Sequence, residues 1–223
     1  MTGTALVTGA SAGFGRALAR ALVSRGWRVI GTGRRPERLR AVAVELGANF
    51  VAVPGDVTDA EHRRVLAGRV EHLDLLVNNA SALGPMPELA TYPLTDLRAV
   101  FEANVVAPLA LVQAVIGKLD GGTVVDVSSD AAREPYARWG GYGASKAALD
   151  QLTAVLAIEQ PGIRCYAFDP GDMRTEMHQA AFPGADISDR PEPDASVPAL
   201  LHLVETRAPS GRYTAAQFAE HVR

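Results

Sequence analysis

The sequence predicts an α/β fold built on a doubly wound parallel sheet, and two observations support this prediction. Short apolar runs alternate with longer segments of helical period along most of the 223 residues, which is the pattern of parallel strands joined by crossover helices. A glycine-rich turn also lies between the first apolar run and the first helical segment. Because such crossovers are right-handed, the ligand crevice is expected beyond the carboxyl ends of the strands.

Seven strands are predicted from the apolar runs, each ending where polar or glycine residues begin. In chain order they lie near Thr4–Val7, Arg28–Thr32, Asn49–Val53, Leu73–Val77, Thr123–Val127, Arg164–Phe168 and Gly211–Thr214. The intervening segments of helical period predict helices at Gly13–Arg25, Pro36–Leu46, Asp59–Val70, Val105–Leu119 and Tyr142–Ile158. The Pro/Asp-rich stretch Phe182–Pro198 is predicted to be a surface loop. The length suits one domain over residues 1–223.

Composition and charge exclude several classes of protein. The formal charge of −3 and the spread of the 22 basic residues give no basic surface for nucleic acid. The longest apolar stretch, Val105–Ile116, is broken by Pro108 and Gln113 and is shorter than the ~20 residues of a membrane span. Cys165 is the sole cysteine, and no signal segment precedes the first strand, so a cytoplasmic protein is expected.

A phosphate cradle is predicted after the first strand, in the run Thr8-Gly9-Ala10-Ser11-Ala12-Gly13-Phe14-Gly15. Glycines at this spacing let the backbone approach a pyrophosphate, whose charge is met by the N–H groups at the start of the following helix. The cofactor contacts are expected from Gly9, Ser11, Ala12, Phe14 and Gly15. The alternative is a turn that merely joins strand to helix.

The residues after the second strand favour a phosphorylated cofactor. Dinucleotide folds that prefer NAD place a carboxylate here, whereas this chain has Gly33-Arg34-Arg35. A guanidinium group can donate two parallel hydrogen bonds to a 2′-phosphate. NADP(H) is therefore predicted, with NAD(H) possible as the cofactor, and the alternative is that Arg34 and Arg35 form a solvated turn.

The turns after the third and fourth strands add further candidates. Asp56, followed by Val57, could accept a hydrogen bond from the adenine amino group, or it could cap the helix that begins near Thr58. Asn78, Asn79 and Ala80 follow the fourth strand, where asparagine side chains could tie neighbouring loops together. Ordinary turn chemistry explains an Asn-Asn pair almost as well.

The most specific signal is Tyr142-Gly143-Ala144-Ser145-Lys146 at the start of a helix. Residues four apart share a helix face, so the Lys146 ammonium can lie beside the Tyr142 phenol. Ser129 stands at the carboxyl end of the fifth strand, where a crevice residue belongs. The alternative for all three residues is a structural helix start and strand end.

Together these motifs resemble the short-chain dehydrogenase/reductase family over nearly the whole chain. The matching residues are Thr8-Gly9-x-x-x-Gly13-x-Gly15, Asp56, Asn78-Asn79-Ala80, Asn104, Ser129, Tyr142-x-x-x-Lys146 and Pro170-Gly171-x-x-x-Thr175. The resemblance implies a Rossmann-type sheet of order 3-2-1-4-5-6-7, a nicotinamide cofactor, and hydride transfer between the cofactor and a carbonyl or carbinol carbon.

The resemblance also implies a role for each matching residue. Tyr142 would be the acid-base, Ser129 would orient the carbonyl, and Lys146 would hold the ribose and lower the pKa of Tyr142. Asn104 would anchor a water in a proton relay, the alternative being a buried asparagine at a helix start. The segment Pro170–Thr175, with Gly171 and Met173, would hold the carboxamide.

Some residues depart from the family's pattern. Ser81 stands where glycine is common, and Ala12 replaces a basic residue frequent in NADP-preferring members, so phosphate selection depends on Arg34 and Arg35. The substrate loop, about residues 172–190, is short. Candidates for the pocket wall are Leu83, Asp130, Tyr136, Trp139, Met173 and His178. Trp139 and Tyr136 are interpreted as packing aromatics, and His178 as a surface residue.

The sequence thus predicts an NADP(H)-dependent oxidoreductase acting on a small-molecule carbonyl or alcohol. No catalytic metal is predicted, because His62, His72, His202 and His221 share no ligand-like spacing. The alternatives are a catalytically silent NAD(P)-binding sensor or scaffold, and an interaction module that uses the apolar helices as a partner surface. In the family such helices form a homo-oligomer, so a homodimer or homotetramer is expected.

Overall fold

The computed structural model describes residues 2–218 and contains one parallel sheet of seven strands. The strands are β1 (Thr4–Thr8), β2 (Arg28–Gly33), β3 (Phe50–Pro54), β4 (Leu75–Asn78), β5 (Thr123–Val127), β6 (Arg164–Asp169) and β7 (Gly211–Thr214). Their order in the sheet is β3-β2-β1-β4-β5-β6-β7, with every neighbouring pair parallel. The predicted fold class and strand order are confirmed.

Helices cover both faces of this sheet. They are α1 (Gly13–Ser24), α2 (Pro36–Leu46), α3 (Ala60–Gly68), α4 (Leu94–Phe101), α5 (Ala107–Val115), α6 (Gly140–Glu159), α7 (Glu176–Ala181) and α8 (Val197–Thr206). The alternation of side chains along the strands fills two cores. Val7 on β1 packs in the core with α1, α2 and α8, whereas Leu6 packs in the other core with α3 and α5.

The helix predicted at Val105–Leu119 begins earlier than its apolar run. Helix α4, a π-helical segment (Glu102–Val106), α5 and a final 3₁₀ turn run continuously from Leu94 to Lys118. A window of 18 residues within this 25-residue helix has a mean hydropathy of 1.8, so the helix is long and apolar enough to cross a membrane. A core helix of a soluble protein passes the same test, and this one packs against α3 and α6. The absence of a membrane span stays a prediction.

The end of the chain contains the largest difference from the predicted elements. The stretch Phe182–Pro198, predicted to be a surface loop, ends in a 3₁₀ turn (Pro193–Ser196) that leads into α8. Prolines in the first turn are compatible with a helix because the missing N–H would be unpaired there. Leu200 and Leu203 of α8 are fully buried against the sheet, so this segment completes one of the two cores.

Candidate active site

A cavity of about 1080 Å³ lies at the carboxyl ends of the strands, where the sequence predicts the crevice. Most of the predicted site residues line it, namely Gly9, Ser11, Ala12, Phe14, Arg34, Arg35, Asp56, Val57, Ala80, Ser129, Tyr142, Lys146, Pro170, Gly171, Met173 and Thr175. Three predicted residues lie behind the cavity wall, namely Gly15, Asn78 and Asn104.

The glycine loop exposes the start of α1 to this cavity. Gly9 and Gly13 have φ values of +67° and +52°, which favour glycine. Ala12, the N-cap residue, offers no side-chain acceptor, and the first turn, residues 13–16, carries no acidic side chain. The N–H groups and the positive end of the helix dipole are therefore free for an anion, so the loop fits a pyrophosphate.

Gly15 acts through packing rather than through contact with a ligand. A Cβ at this position would lie 2.4 Å from Nδ2 of Asn79 and 2.6 Å from the carbonyl oxygen of Gly9. Nδ2 of Asn79 also donates to the carbonyl oxygen of Thr8 at 2.9 Å. The prediction that an asparagine ties neighbouring loops together is therefore confirmed for Asn79, which holds the glycine loop to the turn after β4.

Asn78 does not line the cavity, and its place among the cofactor contacts stays a prediction. It is the last residue of β4 and its side chain points into the core, where Nδ2 donates to Oδ1 of Asp126 at 2.8 Å. Successive strand residues point to opposite faces, so Asn78 and Asn79 serve different sides of the same turn.

A carboxylate from α7 forms ion pairs with the arginines that follow β2. Arg35 donates from Nη1 and Nη2 to Oε2 of Glu176, both at 3.1 Å, and Arg38 donates to Oε1 of the same carboxylate. These hydrogen bonds from Arg38 and Arg35 lower the pKa of Glu176. Arg34 is exposed at the cavity rim. Sequence reasoning missed Arg38, although it lies one helical turn after Arg35.

Asp56 is held in a local turn beside the cavity. Its Oδ1 accepts from the backbone N–H and from Oγ1 of Thr58, both at 2.9 Å. The helix α3 is capped by Asp59, whose Oδ1 accepts from the N–H of Glu61 at 2.9 Å. The helix-cap alternative for Asp56 is therefore wrong, and its carboxylate faces the cavity with one oxygen already used.

Tyr142 lies at the first turn of α6, with its ring almost wholly buried. Burial and the charges of Asp169 and Asp130 raise the pKa of Tyr142, hydrogen bonding to the Ser129 and Ser81 hydroxyls opposes the rise, and the net pKa is about 12. The expected lowering of this pKa is therefore absent from the protein alone, because burial outweighs the favourable contacts. Ser81, at a position where glycine was expected, brings an extra hydroxyl to the phenol.

Lys146 lines the cavity but is almost wholly buried, with Nζ 5.7 Å from the centre of the Tyr142 ring. Its Nζ donates to the carbonyl oxygen of Val127 at 2.7 Å. Burial lowers the pKa of Lys146 to about 8, although nearby carboxylates, chiefly Asp126, oppose this shift. The predicted pairing of the lysine with the tyrosine is therefore a contact between ammonium and ring.

Asn104 lies in the π-helical segment, in the middle of a long helix, so the alternative of a helix-start asparagine is wrong. Its Oδ1 accepts from the N–H of Ala82 at 2.7 Å and from Oγ of Ser81 at 3.1 Å. Its Nδ2 donates to the carbonyl oxygen of Ala82 and to Oγ of Ser145, both at 2.9 Å. Asn104 thus joins the loop after β4 to helix α6, and π-bulges of this kind are frequent at functional sites.

The loop after β6 forms another part of the cavity wall, and its end at Thr175 lies beside Gly13 of the glycine loop. Oδ1 of Asp169 accepts from the N–H of Gly171 at 3.0 Å, and Oγ of Ser196 donates to the carbonyl oxygen of Pro170 at 2.7 Å. Thr175 caps α7 by accepting from the N–H of His178 at 3.1 Å. Both ends of the Pro170–Thr175 segment are therefore fixed by side-chain hydrogen bonds.

The remaining wall is partly apolar and partly acidic. Leu83, Asp130, Trp139, Met173 and His178 line it as predicted, whereas Tyr136 lies outside and donates its hydroxyl to Asp130 at 2.8 Å. Trp139 packs edge-on against the Tyr142 ring, with their centres 5.9 Å apart. The interpretation of His178 as a surface residue is wrong, because its side chain is only 11% exposed.

Among residues 2–218, no group of three or more His, Cys, Asp or Glu residues could hold a metal ion. His221, one of the histidines considered from the sequence, lies outside the described residues. The absence of a catalytic metal stays a prediction.

Comparison with known proteins adds to this geometry. A family model described as short chain dehydrogenase matches residues 3–186. The chain is 41% identical over 188 residues to a serine 3-dehydrogenase of Rhizobium radiobacter, covering 79% of this chain and 74% of that protein. It is 35% identical over 192 residues to an NADP-dependent 3-hydroxy acid dehydrogenase of Salmonella typhi, covering 81% of this chain and 77% of that protein. A short chain dehydrogenase from Shigella flexneri complexed with NADP superposes with a TM-score of 0.90 at 33% identity, covering 96% of each chain.

Proposed function

The chain belongs to the short-chain dehydrogenase family, and from this premise we propose that it is an NADP(H)-dependent oxidoreductase that uses Tyr142 as its acid-base. The carrying observation is the convergence of the Tyr142 phenol and the Ser129 hydroxyl in the cavity that the glycine loop also lines. The relatives named above are oxidoreductases, which does not favour a catalytically silent sensor or scaffold.

The residues that line the cavity fit a dinucleotide. The open helix start at Ala12 and Gly13, with positive φ at Gly9 and Gly13, leaves backbone N–H groups for the pyrophosphate. The Pro170–Thr175 segment lines the same cavity and would hold the carboxamide. When bound, the nicotinamide supplies or accepts the hydride.

In carbonyl reduction, Tyr142 would donate a proton to the carbonyl oxygen while Ser129 donates a hydrogen bond to it. The raised pKa of Tyr142 keeps the proton on the phenol at neutral pH, which suits an acid. Lys146 would hold the ribose from below, and Asn104 would keep the Ser81 loop in place. In this proposal the protein's own groups favour reduction.

The choice of NADP(H) over NAD(H) is supported by the arginines after β2. Arg34 and Arg35 lie at the cavity rim. Arg35 and Arg38 both donate hydrogen bonds to the carboxylate of Glu176, so the two arginines can bind one anion together. Planar guanidinium groups suit a 2′-phosphate. The Shigella flexneri neighbour was crystallised with NADP, which supports the same choice.

We propose a 3-hydroxy or 3-oxo compound as the first substrate class to test, because the names of two relatives specify serine 3-dehydrogenase and 3-hydroxy acid dehydrogenase activities. The experiment is a titration of the purified protein with NADPH and NADH by nicotinamide fluorescence, followed by a screen of these compounds. Binding that is selective for NADPH, with oxidation of NADPH by a carbonyl compound, is expected. Failure to bind either cofactor would refute the proposal.

We further propose that the protein is cytoplasmic and forms a homodimer or homotetramer. The long helix and α6 expose apolar side chains, among them Leu94, Val106 and Ile158, which a second copy could cover. Light scattering at micromolar concentration is expected to give at least twice the monomer mass of 23.5 kDa. A monomer under these conditions would contradict the assembly.

A further inference from the structure

Arg212 joins three parts of the site from the last strand of the sheet. Its side chain is 21% exposed and lies at β7, next to β6. Nε donates to Oδ2 of Asp150 at 2.9 Å, and Nη2 donates to the carbonyl oxygen of Ser129 at 3.0 Å and to Oδ2 of Asp169 at 3.1 Å. One guanidinium group therefore holds the turn after β5, the end of β6 and helix α6 together.

Each of these partners leads to a residue of the cavity wall. Asp169 uses its other oxygen to accept from the N–H of Gly171 at 3.0 Å, which fixes the turn proposed to face the carboxamide. Asp150 accepts from the hydroxyl of Ser128 and lies one helical turn after Lys146. The third partner is the backbone of Ser129 itself.

Charge balance makes the arginine difficult to replace. Asp126, Asp150 and Asp169 are all buried in this region, and Lys146 is the buried cation among them. Removing one partner from a buried ion pair leaves an uncompensated charge, which is costly. Without Arg212 the carboxylate of Asp169 would have to move toward solvent or take up a proton, and either change would weaken the hydrogen bond that Asp169 accepts from Gly171.

We propose that Arg212 is a positioning residue that holds Ser129 and the Pro170–Gly171 turn in register for the nicotinamide end of the cofactor. The inference rests on the proposed function of this site. Arg212 lies beyond residues 3–186, which the family model matches. It is a described residue that does not line the cavity. It therefore acts through its partners.

The test separates the two ends of the cofactor. Arg212→Met removes the charge and the hydrogen bonds, and affinity is measured by calorimetry for NADPH and for adenosine 2′,5′-bisphosphate, which lacks the nicotinamide. NADPH binding is expected to weaken about fivefold, the loss of roughly one hydrogen bond, while the bisphosphate binds within about twofold of wild type.

The matched control is Arg207→Met, which removes a hydrogen bond of 2.7 Å from an arginine to the carbonyl oxygen of Gly121, before β5 and away from the cavity. It is expected to leave both affinities unchanged. Arg212→Lys keeps the positive charge and is expected to fall between wild type and Arg212→Met. It provides the same comparison if Arg212→Met does not fold.

The outcomes distinguish this inference from the proposed function. Wild-type protein that binds no NADPH would overturn both. If the wild type binds NADPH, unchanged NADPH affinity in Arg212→Met, or equal weakening of NADPH and the bisphosphate in the variants, would overturn the positioning role alone. A selective loss of affinity for NADPH in Arg212→Met, partly restored in Arg212→Lys, supports the positioning role.

Discussion

The contact between Glu176 and the arginines after β2 predicts that this carboxylate weakens the binding of NADPH. Arg35 and Arg38 both donate to Glu176, so a 2′-phosphate has to compete with a carboxylate already in place. The change Glu176→Gln keeps the shape of the side chain but removes the charge. The two guanidinium groups are then available to the phosphate.

The size of the effect follows from the exposure of the ion pairs. The side chain of Glu176 is 62% exposed and those of its two arginine partners are 45% and 41% exposed, so solvent screens both pairs. Exposed pairs contribute about 0.2 to 1 kcal/mol each, and two pairs in the lower half of that range, about 0.2 to 0.5 kcal/mol each, sum to about 0.4 to 1 kcal/mol. NADPH is therefore expected to bind about two- to fivefold more tightly to Glu176→Gln, and NADH with unchanged affinity.

The assay is a fluorescence titration of both cofactors at two salt concentrations. The gain for NADPH is expected to shrink at high salt, since screening weakens the original ion pairs. Glu192→Gln is the matched control, because Glu192 forms a similarly exposed pair with Arg174 and is outside the lining of the main cavity. Unchanged or weaker NADPH binding in Glu176→Gln would refute the competition.

Three further predictions follow from the same geometry. Arg35→Ala is expected to weaken the binding of NADPH by about 1.5 kcal/mol, the contribution of one hydrogen bond to a charged group, and to change the binding of NADH little. Equal losses of affinity for the two cofactors in the titration would contradict the phosphate site. Gly15→Ala would place a Cβ 2.4 Å from Nδ2 of Asn79, so it is expected to lower the free energy of unfolding, measured in urea, by about 1 to 3 kcal/mol. Gly117→Ala serves as the control, because a Cβ at that position meets no atom within 4 Å. Equal stabilities of the two variants would show that the glycine loop can relax. Burial raises the pKa of Tyr166 to about 12, while an unfolded tyrosine titrates near ~10. The unfolded chain therefore loses this proton first, and the free energy of unfolding falls from pH 10 toward pH 12. Tyr166→Phe is expected to reduce that slope by about 1.4 kcal/mol per pH unit, and an unchanged slope would contradict the assignment.

The sheet could be predicted from the sequence because its strands are buried on both faces and therefore form apolar runs. The start of the long helix at Leu94 was missed because the prediction followed the continuous apolar run that begins at Val105, although Leu94, Leu97 and Val100 have helical spacing. Helix α8 was missed for a related reason. Prolines precede and open it, and they suggest a loop until the buried leucines that follow are considered.

The site residues divide by the kind of interaction that places them. The residues of the glycine loop and of the Tyr142-x-x-x-Lys146 motif are placed by local geometry, which spacing predicts. Glu176 meets Arg35 across 141 positions of the chain, and Arg212 meets Ser129 across 83, so these contacts exist only in the folded protein. The pKa of Tyr142 depends on burial, which its neighbours in sequence do not fix.

Tyr142 is proposed to transfer the proton, and the change Tyr142→Phe tests this role most directly. The change removes one hydroxyl and leaves the ring that packs against Trp139. NADPH affinity is expected to stay within about twofold of wild type, while the rate of NADPH oxidation by the carbonyl compound that the wild type reduces falls at least ~100-fold, the usual contribution of a general acid. Turnover by Tyr142→Phe at the wild-type rate would contradict the account.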